Sequence, residues 1–375
     1  MRTLQVLPSL NALDGGAPTV ALHANIAKHR SGIDTTIVFS DTGHSEDAQA
    51  RLASAGIPTL AFPVVAPNAR LTKRWGVSPG LAWWLVRNVR RYDVVHVDGV
   101  WGMPSVVAVA AARVAGRPTA LTPHESLTRF DVETLSPTRA RRVLKAVLKR
   151  FYMRWVDLIV FSSELERVDS ADGRRGGSAV IHHPVVDEAE PFELPPAPQR
   201  EGRAIGFLGR LHPKKNLELL IRALARLPED ARLVVGGTGP DAYVAELRRV
   251  AEEAGVAARV DWRGFLEPDA RAAFFGEIDV LAMPSAYECY GMVAAEALAA
   301  GVPVVVSSRT GLAEIVGRHG GGVVCDPEVD EVARSLRTVL AGSEDARARA
   351  REAAVAALGY SVYGEQMRRS YASLV

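Results

Sequence analysis

The chain has 375 residues, 48% hydrophobic and 23% charged, the composition of a soluble globular protein; at ~150 residues per domain its length implies two or three domains rather than one core. No run of ~18 apolar residues is present, which excludes a transmembrane helix, and two cysteines, Cys289 and Cys325, exclude a disulfide framework and suit a reducing cytoplasm. The net charge of +2 hides an asymmetry: residues 1–185 carry 23 Lys/Arg against 15 Asp/Glu, residues 186–375 carry 22 against 28, so the first half either meets an anionic partner or is simply solvated by its cations.

The chain begins MRTLQVLPSLNALDGG, a short apolar run broken by Pro8 and Asn11. It lacks a signal-peptide pattern and reads as a first strand and loop. Gly15-Gly16 follows that strand and precedes a helical run ending near Gly32. Glycines there let backbone N–H groups approach an anion at a helix start, or merely make a tight turn. The pattern G-x-G-x-x-G is absent, which counts against a nicotinamide enzyme. Further strand candidates are TTIVFSD, VVHVDG, PTALTPH, DLIVFSS and AVIHHPV, and His124 falls at the end of one of them. Residues 139–155, RARRVLKAVLKRFYMRW, are basic with apolar Val143, Leu144, Val147, Leu148 and Phe151 at helical spacing. Such a helix lies on an anionic membrane or packs on the sheet; Lys73, Arg74, Trp75, Trp83 and Trp84 add cations and aromatics to the same half.

The Pro-rich acidic stretch DEAEPFELPPAPQREG breaks the pattern. It divides the chain into a doubly wound half over 1–185, a linker over 186–202 and a second doubly wound half over 203–359; the last segment, about 360–375, has a destination that periodicity does not give, and it is expected to be a helix that packs back on the first half. AIGFLGRL, ARLVVGG, ARVDWRGF, VLAMPS, VPVVVSS and GGVVCD are the strands of the second half. Near-continuous apolar strands alternating with helices imply parallel sheets covered on both faces. Two Rossmann-like halves of this kind leave a cleft, and ligands of open parallel sheets bind beyond the carboxyl ends of the strands.

Three signals fall at such ends. In FLGRLHPKKNLELLIRAL, Arg210 and Lys215 stand after a strand and before a helix. Cations there oppose the helix dipole, so an anion is expected to compensate; a diphosphate fits a guanidinium and an ammonium together. In SAYECYGMVAAEALAAGVPVVVS, Glu288 lies in a loop and Glu296 about one turn into the next helix. Two carboxylates beside so much apolar chain suit two pairs of sugar hydroxyls, with the N–H groups of Tyr290, Gly291 and Met292 nearby; Glu296 also reads as an exposed helical acid. The third is the Gly15-Gly16 turn, which follows the first strand.

The second half resembles the nucleotide-binding domain of the family-four retaining glycosyltransferases, which have the GT-B fold. GRLHPKKN is similar to the family's Gly-Arg-Leu…Lys motif, GGTGPD to its Gly-Asp-Gly-Pro turn, and PSAYECYGMVAAEALAAGVPVV to its Pro-Ser…Glu-x7-Glu motif. The first half is similar through Gly15-Gly16, HVDGVWG and TPHESL. The resemblance implies that Arg210 and Lys215 hold a donor diphosphate, Glu288 the transferred sugar, and Glu296 the ribose. Gly15 and Gly16 would close on the diphosphate, Gly237 would lie in the donor turn, Arg263 and Phe265 would line the base with their backbone, and His124 would stand near the sugar. Cys289-Tyr290 replaces a common Gly-Phe, Glu125 replaces a glycine and Thr238 an aspartate, departures that bear on sugar and acceptor more than on reaction class.

No Asp-x-Asp metal motif occurs. The expectation is therefore a metal-independent, cofactor-free hexosyltransferase using a nucleotide sugar of the GDP-mannose or UDP-glucose type. Its acceptor would be a glycan or polyprenyl-linked lipid in cell-surface polysaccharide or glycoconjugate synthesis, with no nucleic-acid partner. Its place would be the cytoplasm or the inner membrane face. A nucleotide-sugar 2-epimerase of the same fold and a noncatalytic nucleotide-sugar-binding protein are the alternatives.

Overall fold

A computed structural model describes residues 1–11, 16–65, 75–134, 138–170, 176–190, 202–342 and 345–375. Contacts divide the chain into two compact units, Met1–Asp187 with Tyr360–Val375, and Glu188–Gly359. Gly15, Lys73, Arg74 and most of the expected linker lie outside the described residues.

Among the described residues, the first unit is built on a seven-stranded parallel sheet, ordered β3-β2-β1-β4-β5-β6-β7. Its strands are β1 (Arg2–Leu7), β2 (Asp34–Asp41), β3 (Thr59–Pro63), β4 (Val94–Asp98), β5 (Thr119–Thr122), β6 (Leu158–Phe161) and β7 (Gly177–Val180). The central strands are buried on both faces, as a covered parallel sheet requires. β1 is in register with both neighbours, Val6 opposite Val38 and opposite Val97. β3 was not among the strand candidates: it is a short, largely exposed edge strand bounded by Pro58 and Pro63, and prolines are tolerated in a sheet at such an edge.

The C-terminal helix Tyr360–Ala372 belongs to this unit. It packs against the helix Gly16–Arg30, and its Tyr360, Tyr363, Met367 and Tyr371 join Leu22, Ile26 and Ile37 in one core. The basic helix Arg139–Trp155 divides its apolar positions. Tyr152 and Met153 are buried, and Leu148 and Phe151 pack at the edge of the core, whereas Val143, Leu144 and Val147 are 57%, 42% and 59% exposed. The N-terminal half of the apolar stripe therefore faces outward. Lys145, by contrast, is buried and paired with Asp131 at 2.6 Å.

Among the described residues, the second unit holds a six-stranded parallel sheet, ordered β10-β9-β8-β11-β12-β13. The strands are β8 (Arg203–Leu208), β9 (Ala231–Gly236), β10 (Val260–Gly264), β11 (Val280–Met283), β12 (Val304–Ser307) and β13 (Gly322–Cys325). Leu220 and Leu224, Leu247, and Leu336 bring three helices, Leu217–Leu224, Asp241–Glu253 and Val329–Leu340, onto one face.

Strand order reverses once in each sheet, between β1 and β4 and between β8 and β11. The connections after those strands leave toward opposite faces, which opens a crevice at the carboxyl edge. Among the described residues, no helix is long and apolar enough to cross a membrane.

Candidate active site

In the second unit, five loops meet at the carboxyl edge and are hydrogen-bonded side by side. After β8, the Gly209 and Leu211 N–H groups donate to the carbonyls of Gly236 (3.0 Å), the last residue of β9, and Thr238 (2.8 Å), in the loop after it. Gly237 N–H donates onward to Gly264, at the end of β10, at 2.6 Å. Across the reversal, Ala286 N–H donates to the Lys214 carbonyl at 2.9 Å and the Asn216 amide to the Pro284 carbonyl at 3.2 Å. The loop after β11 is fixed in turn to the loop after β12: Glu288 N–H donates to Arg309 (3.0 Å), Gly311 N–H to Glu288 (2.8 Å) and Leu312 N–H to Tyr290 (2.7 Å).

This lattice presents the charged side chains. Arg210 is exposed just past β8. His212 caps the short turn Pro213–Lys215, its Nδ1 accepting the Lys214 N–H at 3.1 Å. Partial burial and the charges of Arg210, Lys214 and Lys215 hold its imidazole below the ordinary value, in the neutral form that can accept. Asn216, in the left-handed region at φ 56°, then turns the chain into the helix Leu217–Leu224. Lys215 Nζ, delivered by that turn, forms an ion pair with Glu288 Oε2. The two side chains are 21% and 15% exposed, so they meet in a crevice at the point where strand order reverses.

Gly291, at φ 106°, opens the helix Met292–Ala299. A Cβ there would lie 2.9 Å from the Thr310 methyl and 3.2 Å from Met283 Sδ. The Gly291 carbonyl accepts from Ala294 and Ala295, so the N–H groups of the first turn point out of the helix start beside Glu288, as anion donors do. Glu296 lies one turn further and pairs with Arg271 of the helix Pro268–Glu277. Burial pushes its carboxyl above the ordinary range, with Arg271 pulling the other way. The Arg263 side chain is held by Asp261 (2.7 Å) and Glu277 (3.4 Å), and Phe265, just past β10, is 67% exposed.

The first unit has its own buried polar cluster at the carboxyl edge. Asp98, at the end of β4, accepts from Gln5 Nε2 at 2.6 Å through Oδ2, and its Oδ1 pairs with His124 Nε2 at 3.3 Å. Gln5 Oε1 accepts in turn from the buried Lys28 Nζ. Burial raises the Asp98 carboxyl, but the His124 bond and the charges of His124, His96 and Lys28 outweigh it and bring the pKa down to about 2. For His124 burial favours the neutral ring, while the Asp98 bond and the charges of Asp98 and Glu166 reverse the direction, so the net shift is upward. His124 and Glu125 both have left-handed backbones, at φ 49° and 70°. The buried Glu166 stabilises that conformation by accepting the Glu125 N–H at 2.6 Å and the Ser162 N–H at 2.7 Å. Non-glycine residues in this region cost of order 1–3 kcal/mol each and cluster at functional sites. Gly16, the first residue of its helix, is exposed, and a Cβ there would meet nothing within 4 Å.

Comparison with known proteins accounts for both units. Residues 194–356 match the family described as glycosyl transferases group 1, and residues 15–182 match the glycosyl transferase 4-like domain. The chain belongs to the group 1 glycosyltransferases. This glycosyltransferase is 29% identical over 325 residues to the 2-deoxystreptamine glucosyltransferase of Streptomyces kanamyceticus, covering 79% of this chain and 80% of that one. It is 38% identical over 176 residues to a D-inositol 3-phosphate glycosyltransferase of Mycobacterium leprae, covering 43% of this chain and 39% of that one. A solved structure of Anabaena HepE with UDP and glucose superposes with a TM-score of 0.73 over the full length of both chains at 21% identity, a likeness of fold.

Several residues that contact the candidate site residues, or lie in the polar cluster of the first unit, are not evident from sequence. Asp98 is a strand-end aspartate inside HVDGVWG, a stretch that carries the family resemblance without singling out this residue. Gln5 and Lys28 are a strand residue and a helix residue whose pairing requires the fold. Arg271 reads as one more surface cation.

Gly237 is held more tightly than its neighbours. Its φ is 131°, and a Cβ there would lie 1.8 Å from the Gly209 carbonyl oxygen, a backbone atom that cannot rotate away. Gly237→Ala is expected to destabilise the second unit by about 2–6 kcal/mol, the sum of backbone strain and overpacking. Urea denaturation measures this, and a midpoint equal to the wild type would contradict the close approach.

Proposed function

We propose that this glycosyltransferase moves a hexose from a nucleoside-diphosphate sugar of the UDP-glucose or GDP-mannose type to a glycan or lipid-linked acceptor, retaining anomeric configuration and using no metal. The observation that carries the reading is the meeting of Lys215 and Glu288 at the strand-order reversal, beside Arg210 and the start of the helix Met292–Ala299. Without ligand the cation and the carboxylate neutralise each other. With donor bound, Lys215 and Arg210 take the diphosphate and Glu288 takes sugar hydroxyls. UDP bound to HepE and the glucosyltransferase activity in the name of the Streptomyces relative support a nucleotide sugar.

The bond from the anomeric carbon to the phosphate oxygen breaks as the acceptor oxygen bonds to the same carbon on the same face. The acceptor proton passes to the leaving phosphate. Positive charge grows on the sugar ring and negative charge on the phosphate. Arg210, Lys215 and the N–H groups of Gly291 and Met292 stabilise the phosphate. Glu288 stabilises the ring, and Glu296 holds the ribose. His124, with Asp98 behind it, is assigned to the donor sugar on the family resemblance. Fixed cations at this edge and the absence of Asp-x-Asp from the sequence favour charge neutralisation by the protein itself.

For the acceptor side, the outward Val143, Leu144 and Val147 and the cations Arg139, Arg141, Arg142, Lys149, Arg150 and Arg154 on one helix support contact with an anionic membrane surface. This suits a polyprenyl-linked acceptor and a place on the inner membrane face.

The test is nucleotide release from UDP-glucose and GDP-mannose in EDTA, with and without saccharide and lipid-linked acceptors. Acceptor-dependent release that persists in EDTA is expected. A strict requirement for magnesium or manganese would contradict the metal-free mechanism, and release with formation of a 2-epimerised sugar in place of a glycoside would contradict transfer.

A further inference from the structure

Glu296 does not stand alone. Its Oε2 is paired with Arg271, which comes from a helix that follows β10 rather than from either loop at the strand-order reversal. The side chains are 38% and 23% exposed, so the pair lies at the rim of the site with one side open. No hydrogen bond to Glu296 Oε1 is formed among the described residues. A carboxylate has about four lone-pair positions, so a guanidinium on one oxygen leaves room for two hydroxyls.

Among the described residues, Arg271 is the charged side chain that pairs with Glu296. The helix of Glu296 carries no second ionisable group, and β11 and β12 beside it carry none. The helix Ala346–Leu358 packs against it; there Arg351 donates to the Ala299 carbonyl at 2.7 Å and Arg347 to the Ile278 carbonyl at 3.3 Å, and Arg349 and Glu352 lie along a separate groove with His319 and Gly320. Asp279 accepts the Ala204 N–H at 2.7 Å.

We propose that Arg271 is a positioning residue of the nucleotide site, holding Glu296 in the orientation and the ionised form in which it accepts a vicinal diol of the bound ribose. This deepens the reading of Glu296 given above and rests on it. A protonated carboxyl would turn one acceptor into a donor and lose the charge-assisted bonds to the diol. Burial already drives Glu296 toward protonation, and Arg271 is the cation that opposes it. Removing the guanidinium raises the carboxyl further, so ribose recognition is retained at alkaline pH and lost as pH falls.

The experiment is calorimetry with UDP, GDP and their 2′-deoxy counterparts on the wild type, Arg271→Met, Arg271→Lys, Glu296→Gln and the double variant Arg271→Met/Glu296→Gln. All are compared with wild type at the same pH, which removes the titration of the nucleotide's own phosphate. Arg271→Met is expected to lose about tenfold in affinity relative to wild type in going from an alkaline to a more acidic pH, and to lose most of its preference for ribose over 2′-deoxyribose. Arg271→Lys restores both. Glu296→Gln is weak throughout that window, and adding Arg271→Met to it changes affinity little. Arg271→Met that binds as wild type does at both pH values, or more tightly, would overturn the inference, as would equal weakening of ribo- and deoxynucleotides in both backgrounds. Loss on Glu296→Gln with no effect of Arg271→Met would overturn this inference alone. Undiminished binding by Glu296→Gln, or no nucleotide binding by the wild type, would overturn the assignment of Glu296 and this inference with it.

Discussion

Lys215→Ala is expected to lower kcat by about 10²–10³, roughly 3–4 kcal/mol of barrier, with little loss of folding stability. Its ammonium reaches one carboxylate, Glu288, in a crevice that is only partly closed. The turn that carries it is held by backbone and His212 contacts that survive the truncation. On the proposed reading, what is removed is a fixed positive charge where the leaving phosphate would gain negative charge. Arg210→Ala acts in the same direction, and the two together cost less than the sum if they share one diphosphate. Turnover with each variant, alongside a urea denaturation curve, checks this. Wild-type turnover in both single variants would mean that the phosphate is stabilised elsewhere.

The second large effect separates the two carboxylates. Glu288→Gln is expected to lower kcat, and Glu296→Gln to raise the donor KM. Glu288 faces Lys215 at the reversal of strand order, where the reacting sugar would lie, and its charge gains value as the ring becomes cationic. Glu296 lies one turn into the following helix, paired with Arg271. On the proposed reading, ribose contacts there would be alike in ground and transition states and would add uniform binding, which appears in KM. Steady-state kinetics on the two variants distinguishes the roles. An unchanged kcat for Glu288→Gln with a fall for Glu296→Gln would exchange them.

Much of this arrangement is legible in the sequence because the signals are local. Apolar runs such as VPVVVSS and VLAMPS are strands in a doubly covered sheet, and Arg210, Lys215, Glu288 and Glu296 each stand within a few residues of a strand end or helix start. β3 escaped because a short exposed edge strand between prolines has neither alternation nor a continuous apolar run. The helix Arg139–Trp155 has an apolar stripe whose two halves face different environments, which periodicity alone does not separate. Arg271, Lys28, Gln5 and Asp98 escaped for another reason. Their partners lie 25, 23, 93 and 26 residues away, so their roles exist only once the sheets are assembled.

The most direct test of nucleotide recognition by the second unit is calorimetric titration of UDP and GDP into wild type, Glu288→Gln and Glu296→Gln in EDTA. The expected result is binding of one nucleoside diphosphate by wild type without metal, similar binding by Glu288→Gln, and clearly weaker binding by Glu296→Gln. No binding of either nucleotide to wild type, or weakened binding by Glu288→Gln with none lost in Glu296→Gln, would contradict it.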